Sequence, residues 1–183
     1  MNRRSMLLAS FAFLAFHRQS MAQPESATRS NVLADELEKH PNCVICNMDR
    51  RKFHYARHLL HYADNLVQGT CSVNCAAVCM VQERRRGFLA IYAPDFGATS
   101  EPRPLFEVSS VTYLIGSDLR GVMTKTSKIP FANRDAALLA RQTHGGETAD
   151  FAAAIRASLE EIANSVTRRY EERLLRQART TEP

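Results

Sequence analysis

The chain has 183 residues, 45% of them hydrophobic, with 24 Lys and Arg against 19 Asp and Glu, a formal charge of +5 and a pI near 9.1. Arg3, Arg4 and Arg18 fall in an N-terminal stretch that reads as an export signal, and without them 21 basic residues face 19 acidic ones, a charge of +2. That balance removes the argument for a nucleic-acid partner. No stretch approaches the roughly 20 apolar residues of a permanent membrane span, and the 161 residues that follow the signal suit one compact domain or two small lobes.

In chain order, Arg3-Arg4 supply a basic start, Met6 to Phe16 a short apolar core and Ser20-Met21-Ala22 a small-residue cleavage site. Residues 1–22 are therefore read as a signal peptide and the mature protein as periplasmic and soluble. Residues 23–42 are a polar leader and a short helix, Asn31 to His40, capped by Ser30 and ended by Pro41. The knuckle Cys43-Val-Ile-Cys46-Asn-Met48 follows. Phe53 to Tyr62 and Leu66 to Thr70 predict a hairpin turning at Asp64-Asn65, Ser72 caps a helix from Val73 to about Arg86, Gly87 stops it, and Phe88 to Ala93 returns as a strand.

Residues 43–93 thus read as a β-β-α-β lobe, and 94–104, with Asp95, Gly97 and three prolines, as a linker. A second β-β-α-β lobe over 105–150 is predicted from strands at Leu105 to Val108 and Val111 to Gly116, a helix Arg134 to His144 capped by Asn133, and a closing strand from Glu147. Such an order implies an internal duplication. From Phe151 the positions Ile155, Leu159, Ile162, Val166, Tyr170 and Leu174 mark one stripe of a long helix packed on its own domain, with residues 151–183 as helix and tail. The fold class is α+β: two small β-β-α-β lobes followed by a long C-terminal amphipathic helix.

Sulfur dominates the chemistry. All five cysteines lie between Cys43 and Cys79, an odd and clustered set that fits a metal or redox site better than a disulfide framework. The spacing of Cys43, Cys46, Cys71 and Cys75 matches a tetrahedral zinc site of the treble-clef kind. Met48 tilts the reading toward Cu(I), because zinc rarely takes a thioether and soft Cu(I) does. Cys79 and Met80 read as core. Met123 lies in a loop between the second strand pair and its helix, a place where ligands are more common than in cores, but composition alone does not single it out. On a strand His54 and His58 share one face and His61 points to the other, so all three cannot converge unless the segment is helical; they read first as half-exposed strand histidines, with His58 or His61 as a candidate auxiliary copper ligand.

Four ordered segments carry a resemblance: Cys43-Val-Ile-Cys46-Asn-Met48, Gly69-Thr-Cys71-Ser-Val-Asn-Cys75-Ala, Leu114-Ile-Gly-Ser-Asp-Leu-Arg-Gly-Val-Met123, and Phe131-Ala-Asn-Arg-Asp-Ala-Ala with His144-Gly-Gly. Together they resemble the NosL family, accessory factors of nitrous oxide reductase. The resemblance implies an exported, non-catalytic Cu(I)-binding protein that delivers copper to a cuproenzyme, here the reductase's copper–sulfur centre. By motif, Cys46, Met48 and Met123 are the implied ligands. Cys43, Cys71 and Cys75 stand behind them, since the helix cysteines vary among relatives and their spacing also resembles TRASH and YHS modules.

Two departures from the family matter. Many relatives carry a lipid-anchoring cysteine after the signal, whereas none lies between Met1 and Asn42, and Asn47 stands where glycine is usual. The tail after Phe151 exceeds the family's core, which keeps another copper enzyme or a copper transporter open as recipient. Against the chaperone stand two other readings: an interaction module with structural zinc at Cys43, Cys46, Cys71 and Cys75, and a thiol oxidoreductase using Cys43 and Cys46. The second lacks the helix N-terminus that activates such a pair.

Overall fold

The structure, a computed structural model, describes residues 31–181. The signal peptide, most of the leader and the Ser30 cap lie outside the described residues. The elements in order are α1 (Glu36–Lys39), β1 (His58–Tyr62), β2 (Val67–Thr70), α2 (Val73–Gln82), β3 (Phe88–Pro94), β4 (Leu105–Glu107), β5 (Thr112–Ile115), β6 (Lys128–Phe131), α3 (Arg134–His144), β7 (Glu147–Ala149) and α4 (Phe151–Thr181). They form two antiparallel sheets, ordered β2-β1-β3-β4 and β6-β5-β7.

The same path is traced twice. A hairpin, β1-β2 or β5-β6, leads into a helix, and the chain returns on the free side of the first strand as β3 or β7. The duplicated α+β architecture expected from the sequence is present, but its strands are distributed differently. Leu105–Glu107, expected to open the second lobe, pairs instead with β3, Tyr92 opposite Glu107. The cause is local: Asp95 N–H donates to Pro104 O at 3.0 Å, which closes residues 95–104 into a loop and folds the chain back on its own sheet.

β6 was not legible. Its partner β5 is separated from it by residues 116–127, far longer than the few residues that mark a hairpin, and Pro130 argues against a central strand, consistent with its place at the sheet edge. The first strand is also shorter than expected. Phe53 to Ala56 forms a turn, with Ala56 and Arg57 N–H both donating to Phe53 O at 3.0 Å.

β1 is buried along its whole length. Leu60 and Tyr62 face α2 and pack with Ala76, Cys79 and Ile91, while Leu59 faces the other way, against Ala90 and Tyr92 and beneath Val32, Leu33 and Leu105. With both faces covered, His58 and His61 are buried along with Leu59, Leu60 and Tyr62, so no polar face alternates with an apolar one. Both predicted caps form. Ser72 Oγ accepts from Cys75 N–H, and Asn133 Oδ1 accepts from Asp135 and Ala136 N–H at 2.8 and 3.2 Å. α2 ends at Gln82, short of Arg86, where Arg86 leaves the helix path to pair with Glu83 and with Asp64 of the hairpin turn.

The lobes share a core. Val73 and Ala93 of the first pack with Val111 and Tyr113 of the second and Ala154 of α4. Phe151 reaches both this cluster and the one under β1. At the centre His58 Nδ1 lies 3.0 Å from Ala56 O and Nε2 lies 2.7 Å from Tyr113 Oη. Because a carbonyl only accepts, Nδ1 carries the proton and Nε2 accepts from the tyrosine. The C-terminal helix leaves the body after three turns: Ala154 and Ser158 are fully buried, whereas Val166, Tyr170 and Leu174 of the same predicted stripe are 61%, 61% and 46% exposed. No helix among the described residues is long and apolar enough to cross a membrane.

Burial lowers the His58 pKa from 6.5 to about 4. The unfolded chain therefore binds a proton between those values that the folded protein refuses, so stability is lost as pH falls through that window, by an amount on the order of 3 kcal/mol. Thermal melts of metal-free protein from pH 7.5 to 4.5 are expected to show a falling Tm in wild type and a flatter profile in His58→Asn.

Candidate metal centre

The knuckle is a closed loop. Cys43 N–H donates to Met48 O at 2.9 Å and Asn47 N–H to Cys43 O at 2.8 Å. Closing so tightly needs a left-handed residue, and Asn47 supplies it at φ 59°. Asparagine bears that conformation at little cost. Val44 N–H then donates to Gly69 O at 3.0 Å, laying the knuckle along β2 and beside Cys71, which follows the strand's last residue.

Beneath the knuckle lies a fully buried arginine. Arg50 reaches Glu36 Oε2 at 2.7 Å, Thr70 O at 3.1 Å and His58 O at 3.1 Å, and also bonds His40 O. Glu36 is shared, its Oε1 accepting from Arg57 Nε at 2.7 Å. These contacts join α1, the knuckle, β1 and the end of β2. Gly69 makes room for them, since a Cβ there would lie 2.5 Å from the Arg50 guanidinium. Arg50, Glu36 and Gly69 were missed in the sequence, where Asp49-Arg50-Arg51 reads as a polar loop; no spacing distinguishes a buried arginine from its exposed neighbour.

The result is a compact group of thiols. The Sγ atoms of Cys43, Cys46, Cys71 and Cys75 all lie within 4.8 Å of one another. Cys46 is 3.4 Å from Cys71, and Cys75 is 3.8 Å from both. Zinc–sulfur bonds of about 2.3 Å in a tetrahedron put sulfurs about 3.8 Å apart, so the group already approximates a four-thiolate metal shell. All five cysteines are free thiols. Cys43, Cys71 and Cys75 are buried and Cys46 is half-buried, at the open edge. Cys79 belongs to the core with Leu60 and Tyr62, where burial pushes its thiol up to about 12.

The thiols shift one another's acidity. Hydrogen bonds from Cys71 and Cys75 hold the Cys43 thiol well below its ordinary value. The same contacts push Cys71 and Cys75 up, and their burial adds to this. The capped N-terminus of α2, with Cys75 N–H bonded to Ser72, adds a positive helix end beside the sulfurs.

Met48 packs against this cluster, half-buried, together with Ile45, Phe53 and Tyr55. Met123 comes from the other lobe. Its loop packs Val122 into the thiol cluster and leaves Met123 51% exposed at φ 57°, with its carbonyl accepting from Asn74 Nδ2 at 2.6 Å. Met123 and Cys75 line one cavity of about 250 Å³, with Ile45, Ile162, Val166 and Arg169. The six residues singled out in the sequence are thus brought together around a contact between the lobes. The histidines do not join them: both His58 ring nitrogens are engaged as above, the buried His61 lines a separate cavity with His40 and Val67, and His54 accepts from Arg103 N–H.

Comparison with known proteins gives two findings. The NosL family profile matches residues 34–159. Among solved structures, the copper chaperone NosL from Shewanella denitrificans is similar with a TM-score of 0.52 and 16% identity, over 60% of this chain and 86% of that one. No curated protein matches.

Removing Arg50 leaves buried carbonyls without a donor and Glu36 with one partner. Arg50→Met is expected to destabilise the metal-free protein by about 3–5 kcal/mol, whereas Arg51→Met, at an ion pair whose side chains are 55% and 72% exposed, leaves stability close to wild type. Urea unfolding followed by circular dichroism measures both.

Proposed function

The chain belongs to the NosL family, and from that premise we propose that it is a periplasmic copper chaperone which holds Cu(I) at Cys46, Met48 and Met123, with Cys43, Cys71 and Cys75, and hands it to a cuproenzyme. The observation that carries this reading is the convergence of four thiol sulfurs within 4.8 Å, with Met48 packed against them. Thiolate and thioether donors suit a soft monovalent ion. The recipient proposed is the copper–sulfur centre of nitrous oxide reductase, on the ground of family; a different cuproenzyme or a copper transporter would use the same transfer chemistry. Export by residues 1–22 and a soluble mature form are part of the proposal.

Transfer by ligand exchange needs some donors that retain the ion and others that let go. Buried Cys43, Cys71 and Cys75 suit retention. Half-buried Cys46 and the exposed thioether of Met123 lie where a partner's sulfur can approach, and a neutral thioether is the weaker donor to displace. Each thiol must lose its proton to bind metal, so affinity falls as pH is lowered. Nothing in the exchange requires a bond in the protein to break.

A second reading is favoured by one observation, the near-tetrahedral sulfur spacing: a structural zinc ion held by Cys43, Cys46, Cys71 and Cys75 in an interaction module. The readings separate in one experiment, anaerobic competition titration of the reduced mature protein with Cu(I) and Zn(II). The chaperone predicts a strong Cu(I) preference. Loss of Cu(I) affinity in Cys46→Ala is expected to exceed the roughly 10- to 100-fold typical of an outer-shell change. Tight zinc binding without Cu(I) preference, with unfolding on chelation, would overturn the chaperone in favour of the zinc module.

A further inference from the structure

The loop that carries Met123 is gripped by one carboxylate of the C-terminal helix. Glu161 Oε2 accepts from Thr124 Oγ1 at 2.5 Å and from Lys128 Nζ at 3.0 Å, and Oε1 accepts from the Lys125 backbone N–H. Lys128, whose side chain is fully buried, continues to Thr124 Oγ1 at 2.7 Å and to Asn74 Oδ1 at 3.4 Å. Asn74 closes the circuit by donating to Met123 O at 2.6 Å, one residue before Cys75. The next helix residues, Ile162, Ser165 and Val166, wall the cavity onto which Met123 and Cys75 open.

A thioether is a weak, uncharged donor, and its worth to a metal depends on its being held in place before the ion arrives. Met123 is half-exposed in an irregular loop, the part of a fold where conformational freedom is greatest. The hydrogen-bond partners of Glu161, namely Thr124, Lys125 and Lys128, lie in that loop and its following strand. Burial pushes the Glu161 carboxyl up, but the donors of Thr124, Lys125 and Lys128 outweigh it and hold the group below its ordinary value, hence ionised at neutral pH.

We propose that Glu161 is a positioning residue for copper binding: its carboxylate fixes the 123–128 segment so that Met123 faces the thiolate cluster, and through it the C-terminal helix sets the Cu(I) affinity of the site. The proposal rests on the reading of Met123 as a copper ligand. It assigns a role to a part of the chain beyond the residues matched to the family.

The test measures Cu(I) and Zn(II) affinities by competition for wild type, Met123→Ala, Glu161→Ala, the double variant Met123→Ala/Glu161→Ala, and Glu161→Ala/Lys128→Met, which leaves no unpaired buried charge. Circular dichroism monitors folding. The expected result is a loss of about tenfold in Cu(I) affinity on removing Glu161 in either background, no further loss when Met123 is already absent, and zinc affinity unchanged throughout. Wild-type Cu(I) affinity in Glu161→Ala/Lys128→Met with a weakened Met123→Ala would overturn the role of Glu161 while sparing Met123. A parallel fall in zinc affinity would overturn it as general damage. Unchanged Cu(I) affinity in Met123→Ala would remove the ligand, and the proposal with it.

Discussion

The guanidinium of Arg50, buried without exposure, bonds one carboxylate and several carbonyls drawn from α1, β1 and the end of β2, and so fixes the knuckle against all three. A charge taken so far from water costs several kcal/mol in lost hydration, and attraction to a single partner does not reliably recover it. Here the carbonyls and the shared carboxylate of Glu36 complete the donor's demands. The consequence is geometric. Cys43 and Cys46 ride on the knuckle, Cys71 on the end of β2, and none can shift without breaking bonds to the same cation. Gly69 is part of this constraint, since any larger residue would enter the space the guanidinium fills. Four thiols held this close before a metal arrives spend little of the binding energy on ordering.

The two lobes repeat one topology and divide the chemistry. In the first, a short turn at residues 63–66 joins β1 to β2, and the helix that follows presents Cys75 in its first turn just after Cys71. In the second, residues 116–127 take the place of that turn and carry Met123 across to the first lobe, where Val122 packs into the thiol cluster. His58 and Tyr113, from the central strands of the two sheets, bond at the middle of the interface. In the proposed site the first lobe supplies the thiols and Met48, and the second supplies the Met123 thioether. For the chaperone we propose, that division suits an ion which must be both held and released, because the buried thiols are strong donors and the exposed Met123 thioether is a weak one.

The C-terminal helix has two physical regimes. Its 31 residues span about 46 Å. Over its first half small residues, Ala154 and Ser158, let it lie close against the body, and Glu161 bonds the Met123 loop. Beyond Val166 the same apolar stripe runs on into solvent, with Arg168, Glu172 and Arg176 forming loose i,i+4 ion pairs at 3.8 and 3.7 Å. Exposed pairs of that kind contribute at most a few tenths of a kcal/mol each. The helix is thus anchored at the end that touches the site.

Much of this was legible in the sequence, for identifiable reasons. Ser72 and Asn133 capped their helices because a short polar side chain before an apolar run has few other uses, and the period of Phe151, Ile155 and Leu159 could only be helical. The knuckle and the helix cysteines were marked by sulfur itself, which is scarce and chemically particular, whereas the loop methionine was marked only by the family resemblance. What the sequence left undecided was whatever depends on distant partners. The pairing of Leu105–Glu107 with β3 followed from a loop closure, and β6 lay beyond a connection too long to read as a hairpin. The burial of Arg50 and the reach of Glu161 to residues 124–128 leave no local pattern, because a charged side chain looks the same in a list of residues whether it faces water or a ring of carbonyls. The candidate donors were therefore visible in the chain; their placement was decided only when the lobes, the knuckle and the last helix came together.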